Sequence, residues 1–267
     1  AGGFIGKGCI DLSNTPGNVA ATEYLTASSG QTFTNAGLSI DTWVKTSDSS
    51  GIKFLFAGFE ASYTNYNKLY ILSDGRVTGR IAGGGTSADL TSTTAINDGA
   101  WHHIALTYYD DTGVDEPNNI QRLYIDGKME AEDYLINTGG SPYTFNTFHV
   151  GSSYTSGDGE AKYGYVGDMA RFSVWKGALT AAEIREMMFY DWAGISGSSI
   201  DQTKCFTWYE FSDSQAGTSV SDMSGSGNTG TLTATGAWVA MVDSASGPIL
   251  GDTIGGDGAL FFKNDGG

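Results

Sequence analysis

Three clusters of acidic and amide side chains in this 267-residue sequence have the chemistry to hold a hard cation. Asp110, Asp111, Asp115 and Glu116 fall within one short stretch, Asp158 and Glu160 flank a glycine turn, and Asp222 precedes Asn228 by one glycine-rich loop. Calcium takes roughly six to eight oxygens, which acidic loops supply. Calcium is therefore the cofactor expected here if there is one, and each cluster also reads as a plain solvated loop. Paired-carboxylate hydrolysis needs two acids held close on a shared surface, yet no E-x-D-x-E strand occurs. The nearest run, Glu130, Glu132 and Asp133, follows a hairpin turn and reads as solvated charge. No G-x-S-x-G elbow, HExxH helix or phosphate loop is present. Histidine is limited to His102, His103 and His149, read as core or sheet-surface residues. No enzyme is expected.

Sugar recognition needs aromatic rings beside polar hydrogen-bonding groups. Of the 14 tyrosines, Tyr63, Tyr66, Tyr143, Tyr154 and Tyr163 lie in polar, turn-rich stretches, and Asn67 is close to two of them. These are the glycan-binding candidates. The alternative is that they tuck against the fold with their hydroxyls satisfied. The charge balance supports a neutral ligand: 14 basic against 30 acidic residues gives −16, a field that repels phosphate. Nucleic acid and insertion into membranes are not expected, and no apolar run approaches the ~18 residues that span a bilayer.

Those side chains must be positioned by strands. Glycine is abundant, at 39 residues, and only 16% of the chain is charged, a composition typical of turn-rich β proteins. Apolar runs at 38–44, 54–59, 68–72, 101–108, 122–128, 147–151 and 167–175 are separated by glycine and Asp-Gly turns, notably Asp74-Gly75 and Asp126-Gly127. One helix is expected: Thr180 and Glu183 form a capping box, with Ile184, Met187 and Met188 on one face. Cys9 and Cys205 are too few for a disulfide scaffold and read as buried thiols or a single bridge. Ala1 is not followed by a recognisable signal peptide.

The order of these segments resembles the laminin G-like, pentraxin-related branch of the concanavalin A-like lectin/glucanase superfamily. The resemblance rests on Trp101-His-His-Ile-Ala-Leu-Thr-Tyr108, on Leu123-Tyr-Ile-Asp-Gly-Lys128, and on Gly164 to Trp175 followed by Gly177-Ala-Leu-Thr180 and Glu183-Ile184. It implies an all-β, concanavalin A-like jelly-roll β-sandwich of two antiparallel sheets with one short helix. Two features depart from the pentraxin pattern: Ser152-Ser153-Tyr154 replaces an acid- and amide-rich run, and Ala105 replaces a cysteine. Pentraxin-type calcium and ligand binding therefore do not carry over.

A further stretch, Phe206 to Trp238, looks like the opening segment of such domains placed after the helix. It is expected to fold beside the Gly8–Leu12 strand, so that 1–240 makes one sandwich, completed by 206–240; a truncated second copy is the alternative. Residues 241–267 read as a glycine-rich tail for strand exchange or assembly. The expected function is a non-catalytic carbohydrate-binding or adhesion module, extracellular or at a cell or virion surface, with a glycan or glycoprotein as partner. The alternative is a structural or decoration protein of a virus particle or surface filament, partnered through its termini with copies of itself or with a capsid.

Overall fold

In the computed structural model, the described residues are 8–27, 33–35, 37–59, 66–81, 89–109, 119–135, 143–155, 160–211, 217–233 and 238–240. The tail at 241–267, Tyr63, Asp110, Asp111, Asp115, Glu116 and Asp158 lie outside them. The chain forms two large antiparallel sheets facing each other. The first runs, in spatial order, Lys128–Leu135, Asn119–Ile125, Trp101–Tyr109, Leu38–Lys45, Val166–Lys176, Gly8–Ser13 and Trp238–Ala240. The second runs Ser219–Val220, Gly230–Leu232, Leu25–Ala27, Thr147–Val150, Lys53–Phe59, Tyr66–Ile71, Arg76–Arg80 and Leu90–Ala95. This is the jelly-roll sandwich expected from the sequence.

The eleven-residue strand Val166–Lys176 organises the first sheet. On one side it pairs with Leu38–Lys45; its other side is shared end to end. Gly8–Ser13 pairs with residues 166–169, and Cys205–Glu210 pairs with residues 171–175. The late segment thus lies in line with the Gly8–Ser13 strand along this edge, while Trp238–Ala240 lies directly beside that strand. Cys9 packs at Ala170 and Cys205 opposite Trp175. Five residues of strand separate those levels, roughly 17 Å, beyond the reach of a disulfide. Both thiols are buried, and burial pushes that of Cys9 up to about 12.

Period-two alternation explains the packing. Ile40, Val44, Ile104, Leu106, Phe172 and Val174 of the first sheet meet Leu55, Phe56, Leu69, Phe148 and Val150 of the second, all buried. Phe56 and Phe172 stack at 5.6 Å. The Asp126-Gly127 turn has φ values of 51° and 71°. A two-residue hairpin whose twist matches its strands requires that conformation, and Asp-Gly supplies it.

The helix, α1 (Ala181–Met187), starts as its sequence predicts. The Glu183 amide donates to Thr180 Oγ1 at 3.2 Å, and the Thr180 amide donates to Glu183 at 2.7 Å. Ile184, Met187 and Met188 are buried against the outer face of the first sheet, with Trp175 and Trp208 or with Trp43. A second short helix, α2 (Trp192–Ile195), extends this cover.

Candidate functional site

The two outer faces of the sandwich carry the polar chemistry, and they differ. On the first sheet, Asp41, His103, Arg171 and Ser173 sit side by side across three strands, all essentially inaccessible under α1. Arg171 donates through Nη2 to Asp41 Oδ1 at 2.6 Å and through Nη1 to the carbonyls of Met187 (2.7 Å) and Tyr190 (3.1 Å). Its guanidinium also lies 4.7 Å from the Trp208 ring centre. A cation at the carbonyl end of a helix complements the helix dipole. Burial alone would raise the Asp41 carboxyl, but Arg171, His103 and the Ser173 hydroxyl outweigh it and hold it at about 2. Serine, histidine and aspartate are together here, yet the serine hydroxyl donates to the aspartate rather than to the histidine. With no open path to solvent, the cluster is a buried ion network.

The second sheet's outer face is built from the opposite parity of its strands. His149, Ala57, Lys68 and Arg80 lie in one row, and Phe54, Tyr70 and Thr78 in the next. Asp89, just before the last strand, ties the rows together. It accepts from Lys68 Nζ at 2.9 Å and from the Tyr70 hydroxyl at 3.1 Å, with Arg80 Nε 3.5 Å away. Burial and the Asp89 charge push the Tyr70 hydroxyl up to about 12, so it remains a donor. The small hairpin of Ser153–Thr155 and Glu160–Lys162 crosses this face. Tyr154 stacks on Phe59 at 4.8 Å and meets His149 edge-on, while Tyr163 tilts against Phe54 at 5.7 Å. Tyr24 stacks on His149 at 4.9 Å. Burial lowers His149 to about 4, so the ring is neutral at neutral pH. Tyr24, Tyr70, Tyr154, Tyr163, Lys68 and Arg80 are half-buried and Asp89 is exposed. Aromatic surfaces thus flank a compact set of donors and acceptors.

Of the glycan candidates, Tyr154 and Tyr163 both lie on this face, on Phe59 and Phe54 respectively. Asn67 does not: it is completely buried, paired across strands with Gly58 on the core-facing side. Inward alternation removes it from any surface contact, and this corrects the expectation. The backbone of Tyr66 pairs with Phe59, and that of Tyr143 with Asn35. Lys68, Tyr70, Arg80, Asp89 and Tyr24 were missed because they belong to four separate strands or strand ends. Only the alternation of 68–72, read with its partner strands, could have pointed to them.

Among the calcium candidates, Glu160 is exposed on the hairpin. Asp222 is occupied: it accepts from the Trp208 and Ser224 amides at 3.0 Å each, the Ser224 hydroxyl at 2.7 Å and the Asn228 amide at 2.9 Å. Asn228 is buried and donates to the Phe206 carbonyl at 2.6 Å. Together they lock a turn against the Cys205–Glu210 strand. Among the described residues, no three His, Cys, Asp or Glu side chains converge as a metal site. Glu130 also departs from the solvated charge expected of it. Its carboxylate accepts from the amides of Thr93 and Thr94 at 3.1 Å each and from the Thr93 hydroxyl, pinning the two sheets together. These bonds, with Lys128, hold it at about 2.

A polar groove of about 580 Å³ opens at one end of the first sheet, lined by Asp11, Lys45, Asp48, Ser49 and Asp168 among others. Asp11 and Asp168 are directly opposite on neighbouring strands. Burial and the Asp11 charge raise Asp168 above the usual carboxylate range, although Lys45, 3.8 Å away, opposes them.

A family model described as the concanavalin A-like lectin/glucanases superfamily, of laminin G type, matches residues 19–185. No curated protein matches the sequence. Among solved structures, the chain is similar to a protein from Bacteroides ovatus proposed to bind carbohydrate, with 18% identity and a TM-score of 0.60 over 86% of this chain and 59% of that one. It spans about three-fifths of that protein's length. It is also similar to the heptameric SAP-like pentraxin of Limulus polyphemus (16% identity, TM-score 0.50, 68% of this chain and 81% of that one). Domains LG4-5 of the mouse laminin alpha1 chain align with 15% identity and a TM-score of 0.47 over 68% of this chain and 45% of that one.

Proposed function

Because the chain belongs to the laminin G-like group of the concanavalin A-like lectin/glucanase superfamily, we propose that it is a non-catalytic carbohydrate-binding module whose contact face is the outer side of the second sheet. The observation that carries this is the cluster of Lys68, Tyr70, Arg80 and Asp89 beside the half-buried rings of Tyr154 and Tyr163. Hydroxyl-rich ligands need both donors and acceptors, and the four polar residues supply both in a small area. The rings offer apolar surface for the C–H faces of a pyranose. The described helices include none long and apolar enough to cross a membrane. A module of this kind works where polysaccharide or glycoprotein is met, outside a cell or on a surface. The Bacteroides structure supports the ligand class.

The test is a glycan array followed by calorimetry on the hits. Replacing Lys68 and Tyr70 together by alanine should weaken binding at least about tenfold, the equivalent of one lost charge-assisted contact. Unchanged affinity in that variant would sink this face as the site. The same oligosaccharides should emerge intact. Turnover that disappears in Asp168→Asn would instead make the groove with Asp11 a catalytic centre.

A further inference from the structure

Among the described residues, the first sheet has a second uncovered area, at the edge away from the Gly8–Ser13 strand. Tyr109, Ile120 and Tyr134 are directly opposite one another on three successive strands, so all three project from the same side. Tyr108 is buried in the core, which places Tyr109 on the outer side. Tyr109 is 47% exposed and Tyr134 58% exposed, the two most exposed aromatic side chains among the described residues, and Ile120 between them is half-buried. The next row on the same side is Arg122 and Glu132, joined at 2.6 Å and both partly open to solvent. That row ends at Thr107, which is opposite Arg122 and buried near the Gly177–Leu179 segment, held by Ser39 through bonds to Gly177 O and Leu179 N. In the row after it, Ala105 and Tyr124 are buried, Tyr124 with α1 residues, and Met129 at the sheet edge is exposed. The result is a shelf two rows deep whose inner side is walled by Thr107 and Tyr124.

We propose that this shelf is a second carbohydrate-contact site, for an extended, neutral, β-linked polysaccharide lying across the strands. Adjacent strands are about 4.8 Å apart, so the two tyrosines are separated by about 10 Å. That is comparable with two residues of an extended pyranose chain, which lets alternate sugars stack on alternate rings with the Ile120 side chain beneath the one between. The Arg122–Glu132 pair offers donors and acceptors along the chain with no net charge, and the protein's charge of −16 disfavours an acidic polymer. A flat platform suits a ribbon-like chain and suits a coiled α-glucan poorly. The inference takes its ligand class from the proposed function but uses none of the residues of the second sheet's face.

Affinity electrophoresis through gels containing mixed-linkage β-glucan, xyloglucan or glycogen tests it. Wild-type protein should be retarded by at least one β-glucan and not by glycogen. Tyr109→Ala with Tyr134→Ala should raise the apparent Kd about tenfold or more, while Tyr109→Phe with Tyr134→Phe keeps the rings and the retardation. An unchanged melting temperature shows that the alanine pair is folded, as two exposed positions allow. Retention of full retardation by the alanine pair, or loss of it in the phenylalanine pair, overturns the proposal. So does a wild-type protein retarded by no polymer. The Lys68/Tyr70 double-alanine variant separates the two sites. Retardation that it loses and the tyrosine pair keeps supports the second sheet's face and overturns the shelf. If it loses array binding but keeps its retardation, both stand.

Discussion

The outer faces of the two sheets start from the same pattern and end in opposite environments. Each strand alternates, each face carries aromatic and charged residues, and each contains one carboxylate collecting several partners: Asp41 on the first sheet, Asp89 on the second. The difference is the cover. α1 seals Asp41, Arg171 and His103 away from water, so their bonds stabilise only the fold. A small hairpin crosses the second face and leaves Lys68, Tyr70, Arg80 and Asp89 half-open, where a ligand can exchange with their partners. A charged cluster left part-open keeps polar groups available to a ligand, and a sealed one does not.

The largest test of this contrast is Arg171→Met. It strands Asp41 and removes the helix-end bonds, and should cost about 3–5 kcal/mol, read by urea denaturation; a cost under 1 kcal/mol would mean that the network is not sealed. Lys68→Met should change stability by no more than about 0.5 kcal/mol, because an exposed pair contributes little.

Acid titration probes the second face next. His149 titrates at about 4 when folded and near 6.5 when unfolded. The unfolded chain therefore binds the extra proton, and stability falls as pH drops from 6.5 towards 4, by on the order of 3 kcal/mol. Denaturation midpoints should show this slope, and His149→Gln should flatten it. Asp41 and Glu130, both held at about 2, contribute stability that is present above the usual carboxylate range and lost only as pH falls from there towards 2.

Glu130→Gln tests the closure between the sheets and should cost about 1–2 kcal/mol. A smaller loss than that of Glu130→Gln belongs to Thr180→Ala, which removes the cap of α1 for about 1 kcal/mol. Its use is diagnostic: if the helix is the lid on the ion network, hydrogen exchange at the Asp41 and Arg171 amides should speed up while the Tyr70 amide is unaffected.

Much of this architecture was legible in the residue order. The Trp101–Tyr108 and Gly164–Trp175 stretches, the Asp126-Gly127 turn and the Thr180–Glu183 box each act through neighbours a few positions away, so a linear reading captures them. The candidate face was only half legible. Tyr154 and Tyr163 could be picked out as tyrosines in a polar stretch, whereas Asn67, in an equally polar one, points into the core. Which parity faces inward is set by pairing with strands far away in sequence, here Gly58 opposite Asn67. Glu130 looked like solvated charge for the same reason, since its partners Thr93 and Thr94 arrive from the other sheet.

Composition, turn residues and alternation were enough to require a sandwich of antiparallel strands with one capped helix, because those signals are local and each has few structural solutions. Register and cover are non-local. They alone placed Arg171 beneath a helix, brought Lys68, Arg80 and Asp89 within one ligand's reach, and aligned Tyr109 with Tyr134 across Ile120, because contact between strands depends on how the whole chain folds back and not on distance along it.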